Sequence, residues 1–270
     1  MVFRRAALRR SPRLVLIALL AGIAALLATA CGSSSSPPDS GTIASLKGSL
    51  VISAASSLQG AFTEMKTAFE RAHQYVHVTV NFGASSTLAQ QIMNGAPVDV
   101  FASADEANMT KVSDADLLAE GPTLFATNSL EIIVRRGNPS NITSIKDLAR
   151  PGLIYVTCAP DVPIGKYAAQ VLQKSDVTVR ASSLEPDVKG IVTKVTTGEA
   201  DAGIVYATDV TAAKGAADGV VLPTAVNVIA KYPIAILSTS SNTTAAQAWI
   251  AFVTGSEGQA ILKSYGFGAA

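Results

Sequence analysis

Apolar positions fall into three regimes along the chain. Arg4, Arg5, Arg9, Arg10 and Arg13 form a basic head, followed by an apolar run from Leu14 to Leu27 and the small residues Ala28-Thr29-Ala30. Residues 32–41 lose the apolar pattern and are dominated by serine and proline. From Lys47 onward, short apolar runs alternate with stretches of helical periodicity.

The first regime has the order of a secretion signal: basic head, apolar core, small residues. The alternative, a permanent membrane span, takes about 20 apolar residues, and the run is shorter. Cys31, directly after Ala28-Thr29-Ala30, resembles a bacterial lipobox cysteine, although the usual leucine three positions earlier is Ala28 here. That resemblance implies a lipidated Cys31 as the first mature residue. The Ser/Pro stretch behind it buries too little apolar surface to offset its ordering entropy, and reads as a flexible tether. The expected organisation is a signal over 1–30, a tether over 31–46 and a folded body from 47.

Within the body the pattern predicts an α/β architecture with parallel sheets. Leu50-Val51-Ile52 reads as a buried strand, and Leu58, Phe62, Met65 and Phe69 mark one helical face after it. Val76, Val78 and Val80 alternate as a second strand; a helix starts at Ser86, and Val98–Phe101 reads as a third strand. A second group follows: strands at Leu130–Val134 and Gly152–Val156, then a helix from Pro163. Pro186 is expected at the first position of the next helix, where its missing N–H is harmless. Gly203–Tyr206 and Pro233–Leu237 read as strands, with helices around Trp249 and Ile261 closing the chain.

Charge alters this picture once the signal is set aside. Five of the 21 basic residues lie in the first thirty, leaving 16 against 20 acidic and a net charge of −4. An acidic body argues against nucleic acid as a partner. With Cys31 assigned to the anchor, Cys158 is the one other cysteine, so a disulfide framework or thiolate metal cluster is excluded. Cys158 is expected to pack as a small hydrophobe.

The search for catalytic chemistry returns little. There is no phosphate loop, and Gly83-Ala84-Ser85-Ser86-Thr87 lacks the second glycine of a nucleophile elbow. His73 and His77, the two histidines, fall at a helix end and a strand start, where surface roles are expected. The acidic residues form no zinc or calcium pattern. What recurs is small hydroxyl residues where strands feed into helices, in Ala54-Ala55-Ser56-Ser57-Leu58 and Gly83-Ala84-Ser85-Ser86-Thr87-Leu88. The first turn of a helix offers unpaired N–H groups and a partial positive charge, an anion site without a cationic side chain. The plainer alternative is that Ser57 and Ser85 are ordinary N-caps.

Those two segments, together with Gly95–Phe101, Ser103-Ala104-Asp105, Val162-Pro163-Ile164-Gly165, Asp187-Val188-Lys189-Gly190 and Gly203-Ile204-Val205-Tyr206, occur in one order. As an ordered set they resemble the molybdate-binding proteins of bacterial ABC transporters, over nearly everything from Leu50 to Phe267. The resemblance implies a two-lobed periplasmic-binding-protein (type II) α/β fold with a ligand cleft between lobes joined by crossing strands. The expected crossings lie around Thr127–Val134 and Lys231–Leu237, giving lobes of 47–127 plus 232–270 and of 128–231. It also implies that neutral donors hold molybdate or tungstate: Ser57 and Ser85, the N–H groups of Ile164 and Val188, and the Tyr206 hydroxyl. The family more often has alanine at Ile164, where a backbone donor survives the change, and at Ser56, which adds a possible donor. Asp187 is expected to cap its helix. No cofactor and no catalytic residue is implied, and molybdenum would be bound only as its oxyanion. The implied partner is a membrane permease that recognises the closed, monomeric protein. Two rivals remain at this stage: a binding protein for sulfate, thiosulfate or ferric iron, and a secreted serine hydrolase using Ser57 or Ser85. The absence of a Tyr-Tyr pair weighs against iron.

Overall fold

The computed structural model describes residues 46–213 and 215–270. The signal over 1–30, Cys31 and all of the tether except Leu46 lie outside the described residues.

The body holds two five-stranded sheets. The first contains β1 (Lys47–Ala55), β2 (Tyr75–Gly83), β3 (Val100–Ala102), β4 (Thr123–Asn128) and β10 (Ala230–Ile236), in the order β2-β1-β3-β10-β4. The second contains β5 (Leu130–Arg135), β6 (Tyr155–Cys158), β7 (Ser183–Glu185), β8 (Ala202–Tyr206) and β9 (Ala217–Val221), in the order β7-β6-β8-β5-β9. Both sheets are mixed, which corrects the expectation of parallel ones. β10 runs antiparallel to β3 and β4, and β5 runs antiparallel to β8 and β9. The apolar runs of β5 and β10 have the length and burial of parallel-sheet strands, so periodicity carried no sign of their direction.

Helices lie between the strands. Residues 56–58 form a 3-10 turn that continues into α1 (Gln59–Ala72), and α2 (Ser85–Met93) and α3 (Glu106–Asp114) complete the first lobe's crossovers. The second lobe carries α4 (Pro163–Lys174), α5 (Val188–Thr197) and α6 (Ala207–Ala212). α7 (Thr243–Thr254) and α8 (Ser256–Ser264) fold back on the first lobe, where Trp249 meets Phe62 and Phe69 edge-on at 5.7 and 5.3 Å. Burial follows the sequence pattern: Val76 and Val78 of β2 face inward while Tyr75 and His77 face out, and all of central β8 is buried. No helix among the described residues is long and apolar enough to cross a membrane.

Three expected boundaries move. α5 begins at Val188 and not at Pro186, because the Asp187 carboxylate accepts from the N–H groups of Lys189 and Gly190 at 2.8 and 3.2 Å and so caps the helix. The strand expected from Val98 begins at Val100; Asp99 is taken up by hydrogen bonds from the Val51 and Ser241 N–H groups, both at 2.8 Å. The first crossing falls at Ser129, between β4 and β5, as expected, but the return runs through residues 222–229 rather than Lys231–Leu237. The apolar signal at Pro233–Leu237 marks the strand being reached, not the segment that crosses. Asn227 in this return ties the two crossings together. Its side chain accepts from the Leu130 N–H at 3.1 Å and donates to the Leu130 carbonyl at 3.0 Å.

Candidate functional site

The first lobe supplies two strand-to-helix turns. At the end of β1 the chain enters the 56–58 turn, where Ser57 is buried with its Oγ 3.0 Å from Tyr232 Oη. At the end of β2, α2 starts with Ser85, whose Oγ accepts a hydrogen bond from the Ala104 N–H at 2.9 Å. Neither serine is an N-cap: that position at α2 is Ala84, with no side-chain cap, and Ser57 lies inside its turn. The capping alternative therefore fails. A hydroxyl that already accepts from Ala104 keeps its own proton for another partner, so Ser85 can still donate.

The other three residues expected as donors, Ile164, Val188 and Tyr206, lie in the second lobe at otherwise apolar positions. Pro163 opens α4 without a donor, and Ile164 follows in the first turn, where N–H groups have no partner within the helix. This turn packs unusually close to the strand before it. A Cβ on Gly165 would lie 2.2 Å from the Ala159 carbonyl oxygen and 2.5 Å from that of Cys158. At α5 the Asp187 carboxylate takes the N–H groups of Lys189 and Gly190, leaving that of Val188. Tyr206, the last residue of β8, is 2% exposed, and its hydroxyl has no hydrogen-bond partner. Leaving such a group unpaired costs about 1–3 kcal/mol.

All five expected donors, Ser57, Ser85, Ile164, Val188 and Tyr206, line one cavity between the lobes, together with Ser56, Ala104 and Asp187. It leaves a free volume of about 10 Å³, roughly that of one water-sized sphere and far below the roughly 300–1,000 Å³ of pockets for drug-sized ligands. Four helix starts face it, each with a partial positive charge, and no Lys, Arg or His lines it. Asp187 is the one carboxylate at the rim, and its Oδ1 is held by the two capping bonds. Burial, then the neighbouring Tyr232 and Tyr167, holds the Tyr206 hydroxyl well above its ordinary pKa, so it remains a donor. Behind it, Lys189 pairs with fully buried Asp209 at 2.8 Å and ties the start of α5 to α6. A small, partly open cavity whose lining is neutral apart from Asp187 suits a small anion that presents acceptors only.

Beside the cavity, α4 contacts the segment after β3. Tyr167 donates to the Ala104 carbonyl at 3.4 Å, and Lys166 lies 3.5 Å from the buried carboxylate of Asp105, the cap of α3. Sequence reasoning missed these contacts and Tyr232; the one available signal was a tyrosine inside an apolar strand, whose buried hydroxyl needs a partner. The histidines lie elsewhere. His73 ends α1, at the far end from Ser57, and His77 is exposed beside Glu70. Cys158 is buried and its thiol is pushed up by burial, as suits a packing residue. No group of three or more metal-ligating side chains occurs among the described residues.

Comparison with known proteins places this geometry in a family. Residues 50–268 match the family model described as bacterial extracellular solute-binding protein. The molybdate-binding protein ModA of Mycobacterium tuberculosis (strain H37Rv) is 40% identical over 259 residues, covering 95% of this chain and 97% of the relative. Among solved structures, the periplasmic molybdate-binding protein of Azotobacter vinelandii superposes with a TM-score of 0.72 at 21% identity, over 82% of this chain and 99% of that one. The sulfate-binding protein of Mycobacterium tuberculosis does so with a TM-score of 0.74 at 21% identity, over 81% and 86%. At that identity both structures speak to the fold alone. The chain belongs to the bacterial extracellular solute-binding proteins, within the family of the molybdate-binding proteins.

Proposed function

We propose that this chain captures molybdate, and also tungstate, outside the cytoplasmic membrane and delivers it to an ABC permease. The observation that carries this reading is the donor set. Ser57, Ser85, Ile164, Val188 and Tyr206, the last with an unpartnered hydroxyl, line one small cavity. Each would donate to the ligand, which suits an anion that presents acceptors only. The two lobes, one built on each sheet, would close over it about the crossings at Ser129 and 222–229, and the permease would recognise the closed monomer. A hydrolase reading lacks its base, since neither histidine reaches the serines. Ferric capture lacks its ligand set: beside Tyr206 the cavity offers one carboxylate, Asp187, already engaged as a helix cap, and no histidine. Sulfate shares the donor chemistry and differs in size. Calorimetric titration with molybdate, tungstate, sulfate and phosphate tests the assignment. Tight binding of the first two, weak binding of sulfate and none of phosphate is expected; preference for sulfate would reassign the cargo.

The same reading includes a signal over 1–30 and a lipid on Cys31, with the Ser/Pro stretch as the tether that lets the body work at the membrane surface. Cys31→Ala is expected to release the protein from the membrane fraction. Retention of the variant after an alkaline wash would remove the anchor assignment.

A further inference from the structure

We propose that Tyr232 is a positioning residue for the anion: it receives a hydrogen bond from Asn128 and gives one to Ser57, so that Ser57 meets the ligand as a donor. The proposal rests on the oxyanion reading of the cavity and adds to it a residue that does not line the cavity.

Tyr232 sits in β10 and is fully buried. Its ring is held edge-on by Phe125, Tyr206 and Phe267, with centroids 5.5–6.3 Å away. Its hydroxyl has two polar neighbours, Ser57 Oγ at 3.0 Å and Asn128 Nδ2 at 3.5 Å. An amide NH₂ has protons and no lone pair to offer, so it can only donate to Tyr232 Oη. The single tyrosine proton then has one destination, Ser57 Oγ. Burial raises the Tyr232 pKa above its ordinary value, which keeps that proton in place. With one lone pair of Ser57 taken, its hydroxyl proton is left for the cavity. Such a chain polarises each member, and the last donor is the one strengthened.

The start of the relay also spans the lobes. Asn128 is the last residue of β4, at the first crossing, and its Nδ2 donates at 2.9 Å to Thr208 of α6 in the second lobe. The amide that directs Tyr232 is therefore held in place from the opposite side of the cleft.

The test is a double-substitution cycle read by molybdate calorimetry on the wild-type chain, Tyr232→Phe, Ser57→Ala and the double variant, with melting temperatures recorded for each. Tyr232→Phe keeps the ring packing and removes one neutral hydrogen bond, so affinity should fall by roughly two- to tenfold although the hydroxyl does not touch the anion. In the Ser57→Ala background that loss should largely vanish, because the relay has no final donor to direct. A general loss of packing would instead weaken both backgrounds equally, and that result overturns the relay. Unchanged or tighter binding by Tyr232→Phe alone overturns it as well. If the wild-type chain fails to bind molybdate, the oxyanion reading falls and takes the relay with it.

Discussion

The two halves of the cavity differ in the chemistry of their linings. The first lobe presents side-chain hydroxyls, each wired to a neighbour: Ser85 to the Ala104 N–H, Ser57 to Tyr232. The second lobe presents backbone N–H groups at Ile164 and Val188, under buried apolar side chains, plus one hydroxyl, Tyr206, with no partner. Donors in the first lobe are set by residue identity. In the second they are set mainly by where the backbone lies, and that is fixed by Gly165 at α4, by the Asp187 cap at α5 and by the Lys189–Asp209 pair. Side-chain chemistry and backbone placement should therefore fail under different substitutions.

Gly165→Ala should break the second half most severely. The added methyl meets the backbone carbonyl oxygens of Cys158, at the end of β6, and Ala159, neither the end of a flexible side chain, so the start of α4 must shift. Loss of the Ile164 donor and its helix end should weaken molybdate binding by roughly a hundredfold. The neighbouring Ile164→Ala is the control. It removes a buried side chain and should cost about 2–5 kcal/mol of stability, yet it keeps the N–H and should leave affinity within a few-fold. If calorimetry and thermal melts show the reverse, with affinity tracking the Ile164 side chain, the backbone assignment is wrong.

Tyr206→Phe is expected to have the next largest effect and isolates the one side-chain donor of the second lobe. The ring packs edge-on against Tyr232 and Tyr167 at 5.9 and 6.4 Å, and phenylalanine retains those contacts. Because the hydroxyl is unpartnered without ligand, removing it should not destabilise the free protein. Affinity should fall roughly ten- to a hundredfold, the value of a hydrogen bond to a charged acceptor. A variant that melts lower but binds as before would make Tyr206 a structural residue and leave the anion to the backbone donors.

That division also decided what could be seen in the sequence. Ser57 and Ser85 were legible because a hydroxyl at a strand-to-helix turn is an unusual side chain in a predictable place. Ile164 and Val188 carry side chains that read as core, and they are core; only the resemblance of the surrounding motifs selected them. Most strands and helices were legible from period alone, as in β2 and α1, since burial on one face dictates the pattern. Strand direction was not, because β5 and β10 are buried on both faces and carry the same apolar run either way. Tyr232 was hidden for a related reason. Its strand announces burial, but the partner of its hydroxyl lies 175 residues away in sequence, and no local pattern encodes such a contact.

The smallest expected effect is that of pH, and it tests both halves together. The donors on either side are hydroxyls and amides, and none titrates between about pH 6 and 8. Burial raises the Tyr206 pKa further, so this acid keeps its proton, and its donor role, through that whole window. Molybdate, tungstate and sulfate are fully deprotonated there, whereas phosphate keeps at least one proton and would aim it at a donor. Molybdate affinity should be flat from about pH 6 to 8, with phosphate failing to compete. The charged groups around the cavity define how this can fail. Asp209, whose pKa burial raises above the ordinary carboxylate value, faces Lys189, and Asp187 stands at the rim. A carboxylate that still gained a proton near pH 6 would shed its repulsion of the anion, so affinity would rise as pH falls. A slope of that sign, measured by the same titrations, would assign a titrating acid to the site; its disappearance in Asp187→Asn would place that acid at the rim of the second lobe, and its persistence there would point to Asp209.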